Sequence, residues 1–274
     1  MLTRAIPSTG EQLPVIGLGT WQRFDVGASE KEREPLRGVL KAMADNGCRL
    51  IDSSPMYGKS ENVVGDLTTE TSFANQFFYA TKVWTTGKQN GIDQMNDSMR
   101  KMKRDKMDLM QVHNLVDYQT HLETLRRWKE EGKIRYIGIT HYQSSSHEKL
   151  EQIIRAERLD FVQFNYSIRV RNAEKRLLGV AMDKGVAVLV NEPLEKGSLF
   201  KAVAGKPLPV WAVEHGIGTW TQFFLRFILA HPAVTCVIPA TSSPEHMMEN
   251  IEAGNGQLPD EATRRKMIEF IEHL

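Results

Sequence analysis

From its N-terminal third onward the chain alternates short apolar runs with longer stretches of helical periodicity, and the alternation continues to the C-terminus. A chain of this kind has few ways to bury itself, because each run and each amphipathic stretch needs the other as a covering layer. Glu30 to Asn46 carries Leu36, Val39, Leu40 and Met43 at helical spacing and is closed by Gly47. Leu50 to Asp52 reads as a strand and Glu61 to Leu67 as a helix. Strand and helix then repeat as Phe77 to Lys82 with Ile92 to Lys103, Met107 to His113 with Thr120 to Glu131, and Ile134 to Thr140 with Ser146 to Glu157. Asp160 to Asn165 pairs with Ala173 to Lys184, and Val234 to Ile238 with Glu245 to Ala253. Val186 to Val190 is apolar throughout and rich in β-branched valine, as a strand covered on both faces should be. A longer loop is expected from Asn191 to about Lys206, then a helical turn at Trp211 to His215 and a helix from Thr219 to Ala230.

Together with a glycine-flanked strand at Gly17 to Trp21, this gives about eight strand–helix units, the order of a (β/α)₈ TIM barrel. Thr3 to Ile6 and Leu13 to Ile16 flank a Ser-Thr-Gly-Glu turn and form an N-terminal β-hairpin. Asp260 to His273 is a final amphipathic helix with Met267, Ile268 and Ile271 facing inward. No linker interrupts the pattern, so residues 1–274 are expected to be one domain. The doubly wound alternative is weak, because Gly17-Leu18-Gly19-Thr20-Trp21-Gln22 lacks the third glycine of a dinucleotide fingerprint.

Charge and cysteine content narrow the partners. The formal net charge is +1, which gives no reason to expect nucleic acid or a membrane surface. No stretch approaches the ~18 apolar residues of a membrane span, and residues 1–6 are unlike an export signal. Cys48 and Cys236 define neither a disulfide framework nor a metal site. A cytoplasmic protein is expected, with its oligomeric state left open.

In a barrel the chemistry lies at the C-terminal strand ends. Here those positions hold Thr20-Trp21, Asp52, Lys82, His113, Thr140-His141, Gln163 to Asn165, Asn191 and Pro239. Taken singly, each has an ordinary structural reading. Taken together, Asp52, Tyr57, Lys82 and His113 come from consecutive units and converge on one mouth. A phenol is a weak acid, with a pKa near ~10, unless a neighbouring cation stabilises its phenolate. Lys82 is that cation, Asp52 its anchor, and a neutral His113 a hydrogen-bond donor to a carbonyl oxygen. No His/Asp/Glu spacing supplies a metal site around His113. The set forms a proton-donating site for a carbonyl.

At these residues the chain resembles the aldo-keto reductase family over essentially its whole length. Asp52-x-x-x-x-Tyr57-Gly58, Thr81-Lys82 and Val112-His113 carry the resemblance. It implies an NAD(P)H-dependent reductase of aldehydes, ketones or quinones, with Tyr57 giving the proton and His113 placing the carbonyl oxygen. Trp21, Met56, Tyr57, Trp84 and His113 would line the substrate pocket. Gly19, Thr20, Trp21, Asp52, Thr140, His141 and Gln163 would surround the nicotinamide end, where His141 stands in place of the family's usual asparagine. Asn191, Pro193, Leu194, Gly197 and Leu199 would follow the cofactor along the next loop, with Asn191 where a stacking tyrosine is common. Pro239, Ala240, Thr241, His246, Glu249 and Asn250 would take the adenosine end. NADP is the expected cofactor, with NAD also open because Ala240 and His246 replace the usual lysine and arginine. A cofactor-binding barrel used as a sensor is the alternative, and a barrel lyase or isomerase a third reading that lacks a phosphate cradle.

Overall fold

The computed structural model describes residues 1–70 and 73–274. Two short strands, β1 (Thr3–Ala5) and β2 (Gln12–Pro14), pair antiparallel as the expected hairpin. Eight further strands form one parallel sheet: β3 (Leu18–Gly19), β4 (Leu50–Asp52), β5 (Phe78–Val83), β6 (Met107–His113), β7 (Ile134–His141), β8 (Phe161–Asn165), β9 (Ala187–Asn191) and β10 (Val234–Val237). Sheet order follows chain order throughout. Parallel bridges Ile16↔Val237 and Gly19↔Ala240 join the last strand to the first and close the barrel. The helices in chain order are α1 (Glu30–Asp45), α2 (Ser60–Glu70), α3 (Lys88–Lys101), α4 (Tyr118–Glu130), α5 (His147–Ala156), α6 (Leu177–Asp183), α7 (Ser198–Ala202), α8 (Val210–Glu214), α9 (Trp220–Leu229), α10 (Pro244–Ala253) and α11 (Glu261–Glu272).

The apolar runs are continuous because both strand faces are covered. Leu50, Phe78, Ala80, Leu109, Tyr136, Phe161, Ala187, Leu189 and Cys236 fill the barrel interior. The alternate residues, among them Ile51, Tyr79, Met110, Val112, Ile137, Ile139, Val162 and Val188, pack outward in the larger core formed with the helices. Leu36, Val39, Leu40 and Met43 are the buried stripe of α1, as their spacing requires. Ile6 and Leu13 of the hairpin belong to the interior cluster and stopper the barrel's N-terminal end. Arg4 ties that stopper down. Its guanidinium donates to the carbonyls of Leu229 (2.5 Å), His231 (2.8 Å) and Val234, bracing the connection from the end of α9 to the start of β10.

Three departures have local causes. α3 starts at Lys88, not Ile92, because its first turn carries no apolar residue to signal the period. The helix expected over Ala173 to Lys184 is split into a 3₁₀ turn at Asn172–Lys175 and α6, since Arg176 leaves helical geometry (φ −151°). The five-residue α7 lies within the stretch expected to be loop. Among the described residues no helix is long and apolar enough to cross a membrane.

Candidate active site

Strand alternation builds the site. Successive side chains point to opposite faces, so the positions that fill the interior lower down, such as Leu50, Ala80 and Leu109, share a face with Asp52, Lys82, Gln111 and His113 above them. Parallel register sets these polar groups beside one another, with Lys82 paired to Gln111 and Thr140 to Gln163. The barrel is therefore apolar at its base and polar at its C-terminal mouth.

Asp52 is the hub of the polar layer. Its Oδ2 accepts from Lys82 Nζ at 2.6 Å, and its Oδ1 accepts from Gln111 Nε2 and Gln163 Nε2, both at 3.1 Å. Lys82 is 0% exposed and Asp52 2%. A pair this deep survives desolvation only if its remaining hydrogen-bonding capacity is met. Three donors on the carboxylate meet it, and Lys82 also donates to the Ser53 carbonyl at 2.6 Å. Gly138 leaves the space for this arrangement: a Cβ there would lie 2.8 Å from the Phe161 carbonyl oxygen and 3.2 Å from Gln111 Cγ.

Tyr57 and His113 stand over the pair. The Lys82 ammonium lies 5.0 Å from the Tyr57 ring centroid. The Tyr57 and His113 rings meet edge to face, with centroids 5.8 Å apart and planes at 86°. Burial pushes the Lys82 pKa down, but Asp52 and Tyr57 push it up and prevail, so the ammonium stays charged. For Tyr57 burial raises the pKa, Lys82 opposes, and Asp52 and Glu192 add to the rise. The net direction is up. This corrects the expectation that Lys82 makes the resting phenol unusually acidic: Lys82 acts in that direction, and burial outweighs it. Burial, and then the Lys82 and His141 charges, hold His113 down at about 2, so its imidazole is neutral.

The expected cofactor positions sit around the same mouth with unequal freedom. Thr20 is buried, and its hydroxyl donates to the Asp52 carbonyl at 3.0 Å. Thr140 Oγ1 donates to Gln163 Oε1 at 3.1 Å, and Asn191 Nδ2 donates to the same oxygen at 3.3 Å. Gln163 thus spends both ends of its amide inside the protein. Among the described residues, Asn191 Oδ1 is buried without a hydrogen-bond partner. His141 stacks on Tyr142, with planes 7° apart, and its Nδ1 accepts from the Gln143 N–H. Beyond β9 the backbone takes left-handed conformations at Glu192, Glu195, Lys196 and Gly197. Leu194 is half-buried after Pro193, while Leu199 turns its side chain into the core, so only its backbone is left to face a ligand. Pro239 is buried and Ala240 exposed after β10. Thr241 Oγ1 accepts from the Ser243 N–H, and Ser243 caps α10. His246 is exposed, Asn250 buried, and Glu249 accepts from Thr221 at 3.0 Å. Neither Ala240 nor His246 brings a permanent cation.

Trp21, Met56 and Trp84 are 39%, 39% and 42% exposed at the rim, an apolar wall left open to solvent. Lys196 Nζ lies 5.1 Å from the Trp21 ring centroid and 5.7 Å from that of Tyr142, and it pairs with Glu192 at 2.9 Å. Tyr142 and Lys196 carry no side-chain role in the sequence reading, and neither do Gln111, Ser54 or Glu192. Gln111 was within reach: it stands two residues before His113 on one strand and so shares its face. Ser54, Tyr142, Glu192 and Lys196 lie off the regular strands, on loops and turns where no periodicity marks a direction.

Comparison with known proteins agrees with this geometry. The model of the Aldo/keto reductase family matches residues 15–266. Aldo-keto reductase YhdN of Bacillus subtilis is 28% identical over 210 residues, covering 71% of this chain and 62% of that protein. Methylglyoxal reductase YeaE of Escherichia coli is 25% identical over 258 residues, covering 91% and 89%. The fold matches an aldo-keto reductase from Klebsiella pneumoniae solved with NADPH (TM-score 0.82, 23% identity, 99% of this chain and 96% of that one).

Proposed function

The chain is an enzyme of the aldo/keto reductase family, and on that premise we propose that it reduces aldehydes, ketones or quinones with a nicotinamide cofactor and with Tyr57 as proton donor. The observation that carries this reading is the convergence of the Tyr57 phenol, the buried Asp52–Lys82 pair and the His113 imidazole on one open mouth. A site for a carbonyl needs a donor where negative charge develops on oxygen, and Tyr57 and His113 supply two. Similarity to YeaE, a methylglyoxal reductase, supports small reactive carbonyls among the substrates.

The groups present fit a nicotinamide. Asn191 Oδ1 is a buried acceptor awaiting an N–H, and a carboxamide provides one. Asn191, with Thr140, His141 and Gln163 around it, would hold that end, and the cofactor when bound supplies the hydride. Every other requirement falls on the chain. Trp21, Met56 and Trp84 flank the substrate and exclude water from one side. His113 donates a hydrogen bond to the carbonyl oxygen. Tyr57 passes its proton to that oxygen as it becomes an alkoxide, and Lys82, held by Asp52, stabilises the phenolate left behind. A raised resting pKa keeps the phenol loaded, while Lys82 limits the cost of discharging it. A sensor would have no need of this arrangement. Both cysteines are free and buried, which suits a cytoplasmic setting.

The pH dependence follows from these directions. His113 stays neutral and Tyr57 stays protonated through the neutral range, so kcat/KM for reduction is expected to show no inflection near ~6.5, where an ordinary histidine titrates. The rate should be lost only in alkali, as rising pH removes the Tyr57 proton. An inflection near neutrality that vanishes in His113→Gln would show that the imidazole charges in the working enzyme.

NADP is the proposed cofactor, with Thr241, Ser242 and His246 as the groups at hand for its 2′-phosphate. Ala240→Lys adds the missing cation. It should raise affinity for NADPH over NADH by about tenfold, the scale of one charge-assisted hydrogen bond. Fluorescence titration with both nucleotides measures this, and an unchanged ratio would place the 2′-phosphate elsewhere.

A further inference from the structure

We propose that Ser54 is a positioning residue that fixes the proton of His113 on Nε2, turning the imidazole into a donor toward the substrate oxygen. The proposal rests on the reductase reading given above. Ser54 is wholly buried, and its Oγ lies 2.9 Å from His113 Nδ1. The Met56 backbone N–H donates to the same Oγ at 3.3 Å. These are the two hydrogen bonds of that hydroxyl among the described residues. A hydroxyl has one proton to give and two lone pairs to offer. If His113 carried its proton on Nδ1, Ser54 would accept from both neighbours, and its own proton would be buried without an acceptor, a costly state. If Ser54 donates to Nδ1, its own proton and the Nδ1 lone pair are both satisfied. A neutral imidazole then bears its proton on Nε2.

The surrounding turn explains why this residue is well placed. The Ser53 carbonyl accepts from Lys82, and the Ser54 carbonyl accepts from the Tyr57 N–H at 3.0 Å. One dipeptide thus touches three of the four groups of the site: Lys82 and Tyr57 through its backbone, His113 through its side chain. The tautomer decides what the substrate oxygen meets. An Nε2–H attracts the developing alkoxide, whereas an Nε2 lone pair repels it.

Long-range ¹H–¹⁵N correlation spectra of the histidine-labelled enzyme read the tautomer directly, with His113 assigned by comparison with His113→Gln. Wild type should show protonated Nε2 and pyridine-like Nδ1. Ser54→Ala should give averaged nitrogen shifts from mixed tautomers and lower kcat about tenfold, the factor expected for one hydrogen bond, with cofactor affinity unchanged. Ser54→Thr, which keeps the hydroxyl, should restore both. A wild-type His113 protonated on Nδ1 overturns the proposal, and so does an unaltered tautomer in Ser54→Ala, whatever its kcat. If Ser54→Ala does not fold, the wild-type and Ser54→Thr spectra still decide. The spectra need no turnover, so failure of the reductase reading would appear separately, as absence of carbonyl reduction in wild type.

Discussion

Tyr57→Phe is expected to lower kcat for carbonyl reduction by ~10²–10⁴-fold, the range that a positioned general acid contributes. The substitution removes one oxygen and keeps the ring. The edge-to-face contact with His113 at 5.8 Å therefore remains, and so does the backbone hydrogen bond from Tyr57 N–H to the Ser54 carbonyl. Fold and cofactor affinity should be unchanged. Steady-state kinetics with an aromatic aldehyde, alongside fluorescence titration with NADPH, separate the two quantities. A variant that binds cofactor and turns over near the wild-type rate would mean that the proton comes from another group.

The second large effect concerns the buried pair. Lys82→Met leaves the Asp52 carboxylate 2% exposed, with Gln111 and Gln163 still donating but no cation beside it. Breaking such a pair from one side costs about 3–5 kcal/mol, measurable by denaturant unfolding. Activity should fall as well, because nothing would then stabilise the Tyr57 phenolate. Combining Lys82→Met with Asp52→Asn removes the stranded charge, so most of the stability should return while activity does not. A Lys82→Met single variant as stable as wild type would show that the carboxylate finds another partner or takes up a proton at little cost.

Much of the barrel was legible because its two periodicities are strong. Leu36, Val39, Leu40 and Met43 mark the buried face of α1, and the runs ending at Asp52 and His113 are strands with the bounds their sequence suggests. The polar hub was only half legible. Asp52 and Lys82 were expected to pair and do so, but Gln111 and Gln163 also converge on the carboxylate. Which strands lie side by side, and at what height, is a property of the register. The resting state of Tyr57 was misjudged because one cation was weighed without the burial that opposes it. Least legible was the stretch after β9. There the chain leaves regular geometry at Glu192, Glu195 and Lys196, and five-residue α7 is too short to express a period. Ser54 belongs with these: its hydroxyl gains meaning only once the turn from Ser54 to Tyr57 folds it against His113.

The mouth formed by Asp52, Tyr57, Lys82 and His113 is expected to reduce carbonyls. The most direct measurement mixes the purified protein with NADPH or NADH and a set of aldehydes and quinones, methylglyoxal among them, and follows the nicotinamide absorbance. Carbonyl-dependent loss of absorbance, with the alcohol or quinol recovered in equal amount, is the predicted result. Absence of oxidation above background with every carbonyl and both nucleotides would show that this mouth is not a carbonyl-reducing site.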